Sequence, residues 1–423
     1  MRINKLLSSS YKKLILLISI FISANNISLA QDSSKTDCLD PMYQYDIKDM
    51  LSSLFGSKGK LLDTLKVNPN DKVSLSILPG ISYNPATDVI FGVSASLSWY
   101  MGNKKTTNNS SIASSISYST RKQLKLSVQS NIYTKNNKWV LQGDWRFWKF
   151  VQNTYGLGTG TPESNSQNMD FNFIRFNENV LAKISNNFYA GLGYSLQYYG
   201  KIQTVNAETD SLIYPSFNST YSQVNNIDSV SYLVSGLSAT ASYDSRDNTI
   251  NPYKGVYIQL AYANYTKNLG STTNSNIIDG QIRAYKSLDK CDRYIMAFWL
   301  MGATVVNGTL PYMILPATGW DKYNASGRGY IQGRYRGDDF LYFEFENRFT
   351  FTKNRFFGMV AFVNAETFAS PQTGVRMFQY IAPAGGIGVR FLFDKASRTN
   401  LGVDFGMGID GSKGVYLTLG EFF

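Results

Sequence analysis

The sequence predicts an all-β protein: a transmembrane antiparallel β-barrel of sixteen strands with a short N-terminal periplasmic helix. Three observations carry this. From Lys72 onward, apolar and polar residues alternate in segments of about ten residues, as in a strand with lipid on one face and a wet lumen on the other. Outside the N-terminus, no apolar run approaches the ~18 residues of a membrane-spanning helix. Aromatic residues make up 14% of the chain, with 29 Tyr and 26 Phe, against a charged content of 17%.

Residues 1–30 read as a secretory signal peptide. Lys5, Lys12 and Lys13 precede the apolar run Leu14–Ile22, and Ser28-Leu29-Ala30 supplies small residues for cleavage before Gln31. Removing this leader, with Arg2, Lys5, Lys12 and Lys13 and no acid, lowers the net charge from +11 to +7. A modestly basic exported protein is expected to meet outer-membrane lipid and lipopolysaccharide. Nothing gathers the charge into a nucleic-acid stripe. Residues 31–71 form a polar periplasmic segment with one helix. Asp40 is expected to cap it and Pro41 to start it, with Tyr43, Ile47, Met50, Leu51 and Leu54 on one face.

The barrel occupies residues 72–423. Leu124, Leu126 and Val128 alternate with Lys125, Ser127 and Gln129; Leu341, Phe343 and Phe345 alternate with Tyr342, Glu344 and Glu346. The polar faces repeatedly carry charge and glycine, which suits a lumen. Sixteen segments centre on 73–84, 89–101, 110–119, 122–134, 137–149, 170–184, 187–200, 232–243, 255–266, 276–287, 293–305, 340–351, 356–366, 382–394, 399–409 and 414–423. The long links 151–169, 201–231, 306–339 and 370–381 then share the outer side, and short turns share the other.

At the C-terminus, Val415, Leu417, Leu419 and Phe423 are expected on one face of the last strand, as a signal for the barrel-assembly machinery that inserts the protein. The run Trp139, Trp145, Phe147, Trp148 and Phe150 is expected to end in the outer aromatic girdle. In the turn 244–255, Asp244, Arg246 and Asp247 are expected to pair locally. The absence of histidine excludes His-based triads, His–metal sites and His acid–base pairs. No enzyme activity, cofactor or metal is expected. Cys38 and Cys291 are both placed on the periplasmic side, where a disulfide is permitted.

Three stretches resemble the barrel of the BamA/TamA family of outer-membrane assembly factors, also called the bacterial surface antigen family. They are Tyr243–Asn248 followed by Asn251–Tyr257, then Gly327–Asp338 running into Glu346–Phe349, and Gly386–Phe391. The resemblance spans about residues 72–423 and implies a sixteen-strand barrel whose long loop between strands eleven and twelve folds back into the lumen. It implies that the arginine of the Arg328-Gly329-Tyr330 motif docks on the inner wall. Strand parity points Glu344, Glu346, Arg348, Glu366, Arg390 and Asp404 inward. Arg328, Arg334 and Arg336 are therefore expected to meet carboxylates there. Gly327, Gly329 and Gly333 allow close approach to the wall. Where the family usually has aspartate on strand thirteen stands Asn364, an amide that can accept from Arg328, so Glu346 or Glu366 is expected to carry the charge. Barrel-inserting members carry POTRA modules before the barrel, and residues 31–71 are too few for one. A periplasmic accessory protein is the partner expected to supply that function. The expected role is protein or lipid insertion or translocation at the outer membrane. The alternatives are a plugged or passive small-solute pore, or a surface-exposed interaction protein.

Overall fold

A computed structural model describes residues 44–47, 49, 50, 53, 73–84, 88–206 and 211–423. The signal peptide, Cys38, Asp40, Pro41, Tyr43, Leu51 and Leu54 lie outside the described residues. Those described all belong to one compact unit, Asp40–Phe423.

Sixteen antiparallel strands follow one another in chain order around a single sheet. They are β1 (Val73–Asn84), β2 (Asp88–Trp99), β3 (Ser110–Ser119), β4 (Leu124–Tyr133), β5 (Trp139–Thr154), β6 (Gln167–Ser185), β7 (Phe188–Val205) and β8 (Tyr232–Asp244). The circuit continues through β9 (Gly255–Tyr265), β10 (Ser275–Ser287), β11 (Tyr294–Gly308), β12 (Asp339–Thr350), β13 (Phe357–Ala369), β14 (Ala382–Asp394), β15 (Thr399–Gly408) and β16 (Lys413–Leu419). Period-two patterning sets the strand positions because each strand has one face toward the interior and one toward the outside. Leu192, Leu260, Ile387 and Val415 point out and are more than half exposed. Glu344, Glu346 and Asp404 point in and are fully buried. β5, β6 and β7 run longer than the alternation shows, to 16, 19 and 18 residues, and rise beyond the others on the loop side.

The sheet nearly closes. Among the described residues no backbone ladder joins β16 to β1; a Cβ on Gly80 would sit 3.6 Å from the tip of the Leu417 side chain. β16 has only seven residues against twelve in β1. Past Leu419 the chain leaves the wall. Gly420, at φ +113°, turns it inward, so Phe423 does not share the face of Val415 and Leu417. Phe423 packs inside the barrel against Trp299 (5.3 Å) and Tyr285 (6.2 Å).

An apolar plug fills the loop-side mouth. Trp148, Phe171, Phe173, Tyr199, Tyr232 and Tyr312 belong to it, covered by the helix α1 (Phe217–Val224), whose Tyr221 hydroxyl donates to the Leu310 carbonyl at 2.9 Å. Trp148 and Phe150 therefore do not join an outer girdle. Their parity is opposite to that of Trp145 and Phe147, which do point outward and are exposed.

On the turn side, the N-terminal helix starts at Ile47 rather than after Asp40. Asp46 caps it reciprocally: its carboxylate accepts from Asp49 N (2.9 Å) while Asp49 accepts from Asp46 N (3.1 Å). The preceding residues are held extended because Tyr45 N donates to the Asn354 carbonyl at 3.0 Å. Lys395 anchors both acids, through its amide to Asp46 (3.1 Å) and its ammonium to Asp49 (2.8 Å).

Candidate functional site: a locked lumen and an open seam

Residues 309–338, between β11 and β12, fold into the barrel. Two glycines permit the close approach. Gly329, at φ +110°, lies where a Cβ would meet the Ala384 Cβ at 2.7 Å. Gly333, at φ +81°, lies where a Cβ would overlap Gln152. Gly406 on the wall is as tight, for its Cβ would fall 2.9 Å from Gly329 N.

That approach delivers Arg328 to an acidic pocket on β12 and β15. Its guanidinium pairs with Glu344, Glu346 and Asp404, the last at 2.5 Å. It also lies over the rings of Phe362 (3.7 Å) and Phe422 (4.3 Å), which help exclude water. The same acids bind other arginines. Arg348 reaches Glu346 at 2.6 Å, and Arg390 reaches Asp404 and, at 2.8 Å, Glu421. The pairing runs Arg348–Glu346–Arg328–Asp404–Arg390–Glu421 through the interior. Such a network is costly to assemble and costlier to break, since any lost partner strands a buried charge.

The neighbouring motif residues fix the loop by neutral bonds. Gly329 N donates to the Tyr416 hydroxyl (2.8 Å), and the Tyr330 hydroxyl donates to the Pro383 carbonyl (2.6 Å). Asn364 donates to the Arg328 carbonyl at 2.8 Å. It thus serves the backbone of the arginine, not its guanidinium as the sequence suggests.

Other expectations need correction. Arg334 and Arg336 meet no carboxylate. Arg334 binds the Thr161 carbonyl (2.8 Å), and Arg336 binds the carbonyls of Tyr312 (3.1 Å) and Leu315 (3.2 Å). The loop path sends them toward the plug, away from β12. Glu366 does not touch Arg328; it accepts from the Thr318 hydroxyl at 2.8 Å. Asp404, Glu421, Phe362 and Phe422 join the lock without a motif to mark them. The signal for Asp404 is its inward parity.

At the turn side, Asp244 pairs with Arg246 (2.8 Å), but Asp247 reaches across to Arg398 (2.6 Å) instead of pairing locally. Cys291 is disulfide-bonded.

Sixteen strands thus surround an in-folded loop between β11 and β12 and an inturned C-terminus. The barrel superposes on BamA from Haemophilus ducreyi lacking POTRA domains 1–3, with a TM-score of 0.51 over 83% of this chain. The chain has the fold of that barrel. Sequence identity is 12%, and 69% of the BamA chain is covered. CdiB from Acinetobacter baumannii is similar at a TM-score of 0.51 and 14% identity, over 83% of this chain and 60% of that one. CdiB from Escherichia coli gives 0.51 and 9%, over 84% of this chain and 63% of that one. At these identities the likeness is one of fold. No protein-family model and no curated protein matches the sequence.

Proposed function

We propose that this chain is a BamA/TamA-type outer-membrane barrel of a Gram-negative bacterium, exported by its N-terminal leader, that acts in insertion or translocation of polypeptide or lipid. The observation that carries the reading is the seam between β16 and β1. In hydrocarbon, each unpaired backbone N–H or C=O costs several kcal/mol. A strand pair left without a ladder is therefore a place where an incoming strand gains hydrogen bonds by adding to an edge. The Arg328 lock and the plug work against a constitutive solute pore, because they obstruct the way through the lumen. No covalent chemistry is assigned to it.

The test is depletion of the protein, followed by quantification of outer-membrane barrels, with complementation by wild type or by a seam-bridged variant. Gly80→Cys with Leu417→Cys, joined by a short thiol crosslinker, closes the seam. Depletion is expected to lower other barrels, and the bridged form is expected not to restore them. An unchanged outer-membrane proteome, or full rescue by the bridged barrel, refutes the reading.

A further inference from the structure

The half of the lumen opposite the lock contains a chamber of about 290 Å³ between the inner faces of β4–β12 and the loop residues 313–323. It extends from Arg246 on a turn to Met313 beneath the plug. A line of amides crosses it. Gln259 donates to Gln142 (2.9 Å), Gln281 donates to Gln259 (3.0 Å), and Arg283 Nε donates to Gln281 (2.9 Å).

Two charges in this chamber make no ion pair. Arg283 is stacked on Trp299 (4.6 Å) and Tyr323 (5.8 Å), and its Nε is used by Gln281. Its terminal nitrogens make no hydrogen bond; the Asp321 carboxylate, the acid within its field, is taken up by the amides of Ala325 and Ser326. By contrast Arg175 and Arg246, which also line it, each hold a carboxylate. Asp279 is exposed within the chamber and makes neither hydrogen bond nor ion pair. The cation whose field reaches it, Arg175, is held by Asp144 (3.3 Å) and Gln197 (2.8 Å).

Asp279 and Arg283 share the inward face of β10, four residues apart, a separation of about 13 Å at ~3.3 Å per residue. A ligand with opposite charges at its two ends would satisfy both. We propose that the chamber binds a short zwitterionic peptide. Its terminal carboxylate would sit on the Arg283 fork, its terminal ammonium on Asp279, and its backbone along the glutamine amides. An extended chain covers ~3.3–3.6 Å per residue, so three or four residues span the distance. The volume, near the lower end of the roughly 300–1,000 Å³ of ligand pockets, favours small side chains. This site stands apart from the seam and does not rest on the function proposed above.

Trp299 and Trp320 flank the chamber and report occupancy. The experiment is a tryptophan-fluorescence titration of the folded barrel in detergent with tetra-alanine, its N-acetylated form and its C-amidated form. Saturable quenching by the free peptide is expected, with each blocked form weaker by roughly tenfold, the loss of one charge-assisted contact. Arg283→Gln is expected to erase the penalty for amidation and keep that for acetylation; Asp279→Asn is expected to do the reverse. Asp279→Asn is isosteric on an exposed side chain, so its result stands even where Arg283→Gln fails to fold. Equal affinity for free and blocked peptides, no saturable change into the millimolar range, or unchanged selectivity in Asp279→Asn overturns the proposal.

Discussion

Asp404 on β15 binds Arg328 of the in-folded loop at 2.5 Å while its other oxygen holds Arg390 of β14. One carboxylate thus ties the loop to the barrel wall and to the C-terminal tail, since Arg390 continues to Glu421 at 2.8 Å. The lock and the inturned end are parts of one charge network.

Removing the central cation should therefore be severe. Arg328→Ala leaves Glu344, Glu346 and Asp404 buried around an empty space, and a loss of about 3–5 kcal/mol is expected. Urea unfolding of the folded barrel, followed by tryptophan fluorescence, measures it. A loss under ~1 kcal/mol would place the loop outside the lumen.

Two inward glutamates should respond differently to the same change. Glu346→Gln weakens contacts to both Arg328 and Arg348, whereas Glu366 accepts one bond from Thr318 and its Oε2 has no partner. The expected cost is several kcal/mol for Glu346→Gln and about 1 kcal/mol or less for Glu366→Gln. Denaturant midpoints of the two variants, compared side by side, decide the point. Equal costs would show that Glu366 belongs to the lock.

The N-terminal helix should dock more tightly in acid. Burial holds the Asp46 carboxyl above its ordinary value of 3.8, outweighing the backbone donors of Asp49 and Lys395. A raised carboxyl binds its proton more readily in the docked state. Its contribution is thus full below the unfolded value and declines as pH rises through the docked one. Limited proteolysis between residues 44 and 53 should slow as pH falls toward 4. Asp46→Asn should flatten that dependence while keeping the cap. A pH profile unchanged by Asp46→Asn would contradict this.

Cys291 is disulfide-bonded, and the chain has one other cysteine, Cys38. Non-reducing peptide mapping of the mature protein should recover the two in one linked peptide. Closing so long a loop is expected to stabilise the barrel by about 4–5 kcal/mol through the unfolded state. A free thiol at Cys291 would remove the staple.

Much of the barrel was legible because its strands separate two solvents: the alternation of Leu341, Phe343 and Phe345 with Glu344 and Glu346 encodes which face is inside. The inward acids and the arginine of the Arg328-Gly329-Tyr330 motif could be read the same way. Which acid meets which arginine could not, because that depends on how far the loop travels down the lumen. One turn further along the loop, Arg334 and Arg336 already face carbonyls. The tail was misread for a local reason. Period-two counting holds only while the chain stays extended, and Gly420 at φ +113° ends it three residues before Phe423. For Trp148 the signal was present: three residues from Trp145, it falls on the opposite face.

The loop held by Arg328 obstructs the lumen, and planar-bilayer conductance of the intact barrel, compared with the barrel lacking residues 319–339, reads this out. A small conductance is expected for the intact protein and a large, steady one after deletion. A large conductance from the intact protein, unchanged by the deletion, would contradict it.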